Sequence, residues 1–180
     1  PALLLEAVLA VRAAAKQAAI FKRAIDLGCG TGLGAAAFAE NAESFIGIDL
    51  SPGMIEQARA TGLYAALEVD DMTSALTRQP DASADLMLAA DAMVYVGELA
   101  PVLGEIQRVL MPGGLLAFTV ETHDGDGVIM GDGLRTAHSA DYIRAAVAVA
   151  GLSLAHLEPA SPRTEDKVPV RGLVVVAEKS

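Results

Sequence analysis

The residues with the clearest chemical use are an acid and three alternating glycines in the run DLGCGTG at residues 26–32. Glycine adopts backbone angles that a Cβ forbids, and it lets a ligand lie directly on the main chain. A helical pattern follows at once, so unpaired N–H groups at the start of that helix point to the same place. A carboxylate beside such a turn attracts a cation and repels a pyrophosphate. The run therefore predicts a binding site for a nucleotide-type cofactor.

Further acids follow the next two apolar runs. Asp49 stands near the spacing of about 20 residues expected of a ribose-binding acid in a strand–helix–strand unit. Ser51 and Pro52 then suit the N-cap and the first position of a helix. An acidic pair, Asp70 and Asp71, closes the apolar run after that helix. Each acid is thus expected at the end of a strand.

Strand and helix patterns alternate along the chain and position these acids. Apolar runs predict strands at 23–27, 44–50, 66–69, 84–90 and 115–121. Helical patterns cover 2–20, 34–40, 99–110 and 139–150. Two final strands, 153–158 and 170–178, predict a closing hairpin. The order predicts a mostly parallel sheet with helices on both faces, in which ligands bind beyond the carboxyl ends of the strands.

The glycine spacing also fits a dinucleotide fingerprint. The pattern G-x-G-x-x-G/A fails from Gly28, but it is met from Gly30 through Gly32 and Ala35. With Asp49 as the ribose acid, an NAD(P)-dependent oxidoreductase is therefore an alternative function.

The run 26–32 resembles the first motif of the class I S-adenosylmethionine-dependent methyltransferases, of the type 11/12-like, small-molecule group. Residues 48–59, IDLSPGMIEQAR, resemble the second motif of that family, and LMPGGLLAF at 110–118 resembles its signature before the fifth strand. The closing hairpin is similar to the reversed last strand of its sheet. The resemblance implies one Rossmann-like, doubly wound domain over residues 1–180, with a seven-stranded, mostly parallel sheet.

The same resemblance implies S-adenosyl-L-methionine as the cofactor. Asp26 is then expected near the ammonium group of its methionine moiety, and Met54 against the adenine. Asp71, rather than Asp70, is expected to accept from the adenine amino group, while the N–H of Met72 donates to the ring. The full set of implied cofactor residues is Asp26, Gly28, Cys29, Gly30, Thr31, Gly32, Asp49, Leu50, Met54, Asp71, Met72 and Ala90.

Two segments are expected to face the acceptor, 90–95 after the fourth strand and the loop 122–137 after the fifth. Asp91 and Tyr95 are candidates for orienting the acceptor. The stretches ADAMVYVGEL and GLRTAHSADYI resemble a bacterial group of small-molecule methyltransferases.

His138 is the best candidate for a general base, which is needed only when the acceptor must lose a proton. A structural hydrogen bond at the start of the last helix is the alternative role for His138. His123 and His156 have weaker claims, and Glu121 is expected to cap the loop that follows it.

Composition limits the classes of partner. The net charge of −10 opposes binding to a nucleic-acid backbone, so a small-molecule acceptor is expected. No apolar run reaches the length of about 18 residues that a membrane-spanning helix needs. The segment at 124–128 fails the third ligand position of a calcium loop, and no metal site is predicted.

The cysteine content and the first residue add two expectations. Cys29 is the one cysteine, which excludes an internal disulfide and agrees with a cytoplasmic protein. Its place in the glycine turn favours a small filler over a nucleophile. Because the chain begins at Pro1 rather than Met, we expect that an N-terminal segment is missing. The favoured function is methyl transfer to a small molecule by in-line attack on the sulfonium methyl. Besides the oxidoreductase, a methyltransferase-fold module that binds without turnover is an alternative.

Overall fold

The computed structural model describes residues 1–131, 134–162, 164–165 and 168–180. Its helices are α1 Ala2–Ala14, α2 Leu33–Ala37, α3 Pro52–Ala60, α4 Met72–Thr77, α5 Ala100–Val109 and α6 Ala140–Val149, with a 3-10 turn at Met93–Tyr95. Its strands are β1 Ala24–Leu27, β2 Phe45–Asp49, β3 Tyr64–Val69, β4 Ala84–Ala89, β5 Leu110–Glu121, β6 Val128–Met130, β7 Thr136–His138, β8 Leu152–Ala160, β9 Thr164–Glu165, β10 Val168–Pro169 and β11 Gly172–Lys179.

The main sheet is mostly parallel with its last strand reversed, as predicted, and the hairpin β6–β7 extends it from the predicted seven strands to nine. Seven strands pair in the order β3-β2-β1-β4-β5-β11-β8. β1, β2, β3, β4 and β5 are mutually parallel, whereas β11 runs antiparallel to both β5 and β8. The carboxyl ends of β1, β2 and β3 therefore meet at one edge of the sheet, which brings their terminal acids together.

Helices cover both faces of this sheet, as the sequence predicts. One apolar cluster joins side chains of α4, α5 and α6 to one face, through residues such as Leu76, Ile106 and Ile143. A second cluster joins α1 and α2 to the other face, through residues such as Val8 and Ala35. The strands are buried on both sides, which explains their nearly continuous apolar runs.

The element boundaries differ from the predicted ones where glycine, proline or alanine runs weaken the pattern. α1 ends at Ala14, and α2 is a short helix that ends at Ala37. β3 begins at Tyr64, two residues earlier than predicted. β5 begins at Leu110, before the Pro-Gly-Gly segment that predicts a turn. This segment lies inside the strand, where the register of the β4–β5 pairing shifts.

The predicted loop 122–137 contains structure of its own. β6 and β7 form an antiparallel hairpin, and β7 continues the sheet beside Glu121 at the end of β5. Residues 132–133 of this loop, and residues 163 and 166–167 of the loop before the last strand, lie outside the described residues. Across the described ranges, no helix is long and apolar enough to cross a membrane.

Candidate cofactor site

The turn after β1 needs its glycines for two physical reasons. Gly28, Gly30 and Gly32 have φ angles of +66°, +53° and +94°, in the left-handed region that favours glycine. A Cβ on Gly28 would also lie 2.4 Å from the Cβ of Ala92, so the turn packs tightly against the segment after β4. The sequence pattern is therefore the pattern that this backbone requires.

Asp49 at the end of β2 ties the glycine turn to the next strand. Its Oδ2 accepts from the N–H of Gly30 over 2.9 Å, and its Oδ1 accepts from the N–H of Ser51 over 2.8 Å. Each carboxylate oxygen has a further lone pair. Ser51 is also the N-cap of α3, since its side chain accepts from the N–H of Met54 and Pro52 follows it, as predicted. Asp49 is thus oriented by the backbone and can still accept hydrogen bonds from a ligand.

The two acids after β3, Asp70 and Asp71, make different contacts with the protein. Oδ1 of Asp71 accepts from the N–H groups of Thr73 and Ser74, both over 3.0 Å, and so caps α4. The hydroxyl and N–H of Ser74 hold the pKa of Asp71 below its usual range. Asp70 instead forms an ion pair with Arg78 over 2.7 Å. Both acids line the large cleft described below, so each has a protein partner and faces the cleft, and the adenine role of Asp71 stays a prediction.

Two connected clefts surround the turn. The large cleft has a volume of about 630 Å³, within the range of typical ligand sites. The predicted residues that line it are Gly28, Gly30, Asp49, Leu50, Met54, Asp71, Met72, Ala90, Asp91 and Tyr95. The small cleft has a volume of about 320 Å³. The predicted residues that line it are Asp26, Gly28, Cys29, Gly30, Thr31, Met54, Ala90 and Asp91.

Gly32 and His138 are the predicted site residues that line neither cleft over the described residues. Gly32 lies behind the turn, where a Cβ would meet Thr61 and Tyr64 at 3.2 and 3.3 Å. The close approach at Gly32 is therefore to another part of the protein.

Asp26 forms the floor of the small cleft and is 1% exposed. The Tyr64 hydroxyl donates to its Oδ2 over 2.7 Å. A Cβ on Gly34 would lie 2.6 Å from the same oxygen, so the carboxylate sits directly beneath α2. Burial raises the pKa of Asp26 to about 6, while the hydrogen bonds from Tyr64 and from the backbone at Ala35 oppose this rise.

Cys29 behaves as the small filler that its position suggests. It is buried, and burial together with the nearby Asp26 and Asp49 raises the pKa of its thiol to about 12. A thiol with this pKa is protonated at neutral pH and is a poor nucleophile.

Arg135, which the sequence analysis missed, contacts two of the residues that line the large cleft, Asp91 and Tyr95. Its guanidinium pairs with the carboxylates of Asp91 and Glu121. It also donates to the Tyr95 hydroxyl over 2.8 Å and lies 5.0 Å from the centre of the Tyr95 ring. No local pattern marks Arg135, because its partners come from distant parts of the chain.

Asp91 lines both clefts and holds a strained backbone. Its φ is +58°, which is uncommon for a residue with a side chain. Its N–H donates to Oγ1 of Thr119 over 2.9 Å, and its carboxylate is held by Arg135. Strain of this kind persists only where surrounding contacts maintain it, and it is frequent at functional sites.

His138 is buried away from the clefts. Its Nε2 lies 3.0 and 3.1 Å from the carbonyl oxygens of Val96 and Gly97, which requires the proton on this nitrogen. Its ring stacks on Tyr142 at 5.4 Å, and burial lowers the pKa of the imidazole. This geometry favours the structural role over the role of a base.

The other two histidines also lie outside the clefts. Nδ1 of His123 accepts from the N–H of Gly125, and its Nε2 lies 3.2 Å from the carbonyl oxygen of Gly127. His156 lies on β8, on the far side of the sheet order from the glycine turn.

Residues 25–118, which include the glycine turn and Asp49, match a known protein family. The profile of the methyltransferase-domain family matches residues 25–118, just over half of the chain. The chain belongs to the class I S-adenosylmethionine-dependent methyltransferases. S-adenosylmethionine is the cofactor of this family.

Two relatives illustrate the similarity in sequence. Dimethylglycine N-methyltransferase from Parasynechococcus marenigrum is 36% identical over 112 residues, which are 59% of this chain and 40% of the relative. Trans-aconitate 2-methyltransferase from Methylobacterium radiotolerans is 39% identical over 97 residues, which are 52% of this chain and 36% of the relative. The chain thus spans less than half the length of these relatives.

A solved structure illustrates the similarity in fold. Burkholderia thailandensis 1,6-didemethyltoxoflavin-N1-methyltransferase, with bound 1,6-didemethyltoxoflavin and S-adenosylhomocysteine, superposes with a TM-score of 0.75 at 17% identity. The match covers 98% of this chain and 78% of that protein. The predicted fold class is confirmed by this match and by the sheet order.

Proposed function

We propose that the chain binds S-adenosylmethionine across the two clefts and transfers its methyl group to a small-molecule acceptor. The main supporting observation is that acids at the ends of three adjacent strands line the two clefts around one glycine turn. Asp49 and Asp71 line the large cleft, and Asp26 lines the small one. Asp49 and Asp71 in the large cleft suit the ribose hydroxyls and the adenine amino group. The amino-acid end then extends into the small cleft, above Asp26.

The charge of the clefts supports this cofactor over a dinucleotide. Among the described lining residues there is no lysine or arginine, whereas Asp26, Asp49 and Asp71 are all present. A pyrophosphate is an anion and would be repelled by these carboxylates. A sulfonium and an ammonium group would be attracted.

The chain's own contribution to the reaction is positioning. S-adenosylmethionine supplies a methyl group that is already activated on a sulfonium sulfur, so donor and acceptor need mainly to be held in line. Ala90 and Asp91 border both clefts, and Tyr95 is 62% exposed at the mouth of the large one. We therefore propose that the acceptor binds against Asp91 and Tyr95, both of which Arg135 contacts.

The clefts also bear on the chemistry of the acceptor. Their described linings include no histidine, and the Cys29 thiol is protonated. We infer an acceptor whose nucleophilic atom attacks without a histidine base, such as an amine, a carboxylate or a thiolate. The names of the two relatives, which specify dimethylglycine and trans-aconitate, support small molecules of this kind.

The proposal extends to the setting of the protein. The single cysteine and the resemblance to a bacterial group support a bacterial, cytoplasmic enzyme. The net charge of −10 supports the absence of a nucleic-acid partner.

Calorimetric titration with S-adenosylhomocysteine, beside NADH and NADPH, tests the cofactor. We expect binding of S-adenosylhomocysteine alone, and binding of a nicotinamide cofactor alone would contradict the proposal. Methyl transfer is then measured with methyl-labelled S-adenosylmethionine against a panel of amines, carboxylic acids and thiols. Cofactor binding with transfer to no member of the panel would favour the module that binds without turnover.

A further inference from the structure

Tyr64 on the edge strand β3 reaches across the sheet to Asp26. Its hydroxyl donates to Oδ2 of Asp26 over 2.7 Å. Its ring occupies space that two glycines leave open, since a Cβ on Gly47 would lie 2.8 Å from the ring and one on Gly32 would lie 3.3 Å from it. Two residues without side chains thus give an edge-strand tyrosine access to the underside of the cofactor turn.

Asp26 is the charged side chain at the floor of the small cleft. The other described acid that lines this cleft is Asp91, and its carboxylate is paired with Arg135. Asp49 lies in the large cleft, where it is oriented by Gly30 and Ser51. A ligand ammonium group in the small cleft therefore has Asp26 as its electrostatic partner.

We propose that Tyr64 is a positioning residue for the cofactor: its hydroxyl holds the Asp26 carboxylate towards the ammonium group of the amino-acid end. This inference rests on the proposed function, because it requires S-adenosylmethionine or its product as the ligand. Tyr64 lines neither cleft as described, so it acts through Asp26.

Because of the environment of Asp26, the proposal predicts that ligand affinity depends on pH. The groups that face its carboxylate are the Tyr64 hydroxyl from β3, the backbone N–H of Ala35 in α2, Asp49 from β2 and the Cys29 thiol in the turn. Burial raises the pKa of Asp26 to about 6, and the Tyr64 hydrogen bond is the strongest of the effects that oppose the rise. An ammonium group binds the ionised carboxylate, so affinity is full above this pKa and falls as the pH drops through it. Loss of the Tyr64 hydroxyl raises the pKa of Asp26 and moves that fall to higher pH.

Two ligands separate this role from general support of the fold. S-adenosylhomocysteine has the amino-acid end, whereas 5′-methylthioadenosine keeps the adenine, ribose and sulfur but lacks it. By calorimetry we expect Tyr64→Phe to lower the affinity for S-adenosylhomocysteine about tenfold at pH 7, which is the scale of one hydrogen bond to a charged group. We expect its affinity for 5′-methylthioadenosine to be unchanged. For the wild-type chain at pH 5, we expect S-adenosylhomocysteine to bind about tenfold more weakly than at pH 8, since about a tenth of Asp26 is then ionised.

Matched variants make the result specific. Tyr142→Phe removes a hydroxyl that accepts from the N–H of Leu99, and we expect it to leave the ratio of the two affinities unchanged. In an Asp26→Asn background, Tyr64→Phe is expected to add no further loss of S-adenosylhomocysteine affinity. Equal weakening of both ligands by Tyr64→Phe, or an additive loss in the Asp26→Asn background, would overturn the proposal.

A second measurement applies if Tyr64→Phe does not fold. Incorporation of 3-fluorotyrosine at Tyr64 keeps the ring and makes the hydroxyl a stronger donor, so the pH midpoint for S-adenosylhomocysteine binding is expected to move down. An unchanged midpoint would overturn the inference while leaving the proposed function in place. A wild-type chain that binds neither ligand would overturn both.

Discussion

Replacement of Asp49 by asparagine tests the link between the glycine turn and the ribose site. The carboxylate accepts from the N–H groups of Gly30 and Ser51 at 2.9 and 2.8 Å. Asparagine has one acceptor oxygen and a donor NH₂ group, so it satisfies one of these N–H groups and turns a donor towards the other. It also removes the charge that would accept from the ribose hydroxyls.

The size of the effect follows from these contacts. A hydrogen bond to a charged group contributes about 1.5–3 kcal/mol. Asp49→Asn is therefore expected to reduce the free energy of S-adenosylhomocysteine binding by about 2–3 kcal/mol, which lowers the affinity roughly 30- to 150-fold. The unpaired backbone N–H is expected to cost about 1–2 kcal/mol of stability, which lowers the Tm of a chain of this size by about 3–6 °C. Calorimetric titration and a thermal melt measure the two effects separately.

Asp141→Asn is the matched control for charge. Asp141 is an exposed acid in the first turn of α6, and its replacement changes the net charge by the same amount. We expect its effect on affinity to be below about 0.5 kcal/mol, as for other surface substitutions. Similar weakening by both variants would show that the acidic surface as a whole attracts the cofactor. A folded Asp49→Asn variant with unchanged affinity would refute the ribose assignment.

Three further variants address the acceptor side and the turn. Arg135→Gln is expected to raise KM for the acceptor about tenfold, which is the scale of one lost hydrogen bond to a charged group, and to leave the affinity for S-adenosylhomocysteine unchanged. Steady-state kinetics and calorimetry measure these two quantities, and a parallel loss of cofactor affinity would contradict the expectation. His138→Asn is expected to lower the free energy of unfolding by about 1–3 kcal/mol, because two buried carbonyl oxygens lose their donor, and to retain kcat per folded molecule. Loss of kcat at an unchanged Tm would instead establish His138 as a base. Cys29→Ser is expected to retain activity, and iodoacetamide at pH 7.5 is expected to spare Cys29 in the folded chain and label it after denaturation; rapid labelling of the native protein would be inconsistent with its raised pKa.

Local features of the chain were predicted correctly because their causes are local. The glycine turn follows from backbone sterics at Gly28 and Gly30, and the N-cap at Ser51 follows from a side chain that reaches an N–H three residues away. The mostly parallel sheet with helices on both faces could be predicted because strand and helix patterns alternate along the chain. Boundaries were less accurate where the sequence is rich in alanine or glycine, as at the end of α1 and the start of β5.

The organisation of the site beyond the turn depends on contacts between distant residues. Tyr64 and Asp26 are 38 positions apart, and Arg135 and Asp91 are 44 apart. Nothing in either local sequence marks these pairs, since a tyrosine at a strand end or an arginine in a loop has many uses. The same holds for His138, whose burial depends on carbonyl groups about 40 positions away.

The sequence by itself therefore determined the fold class, the glycine turn and the acids at the strand ends, because each arises from periodicity or from backbone conformation within a few residues. Only the tertiary structure decided that Tyr64 donates to Asp26, that Arg135 joins Asp91, Glu121 and Tyr95 and that His138 is buried outside both clefts. Hydrogen bonds and burial act through space, and the sheet brings together residues whose distance along the chain carries no such information.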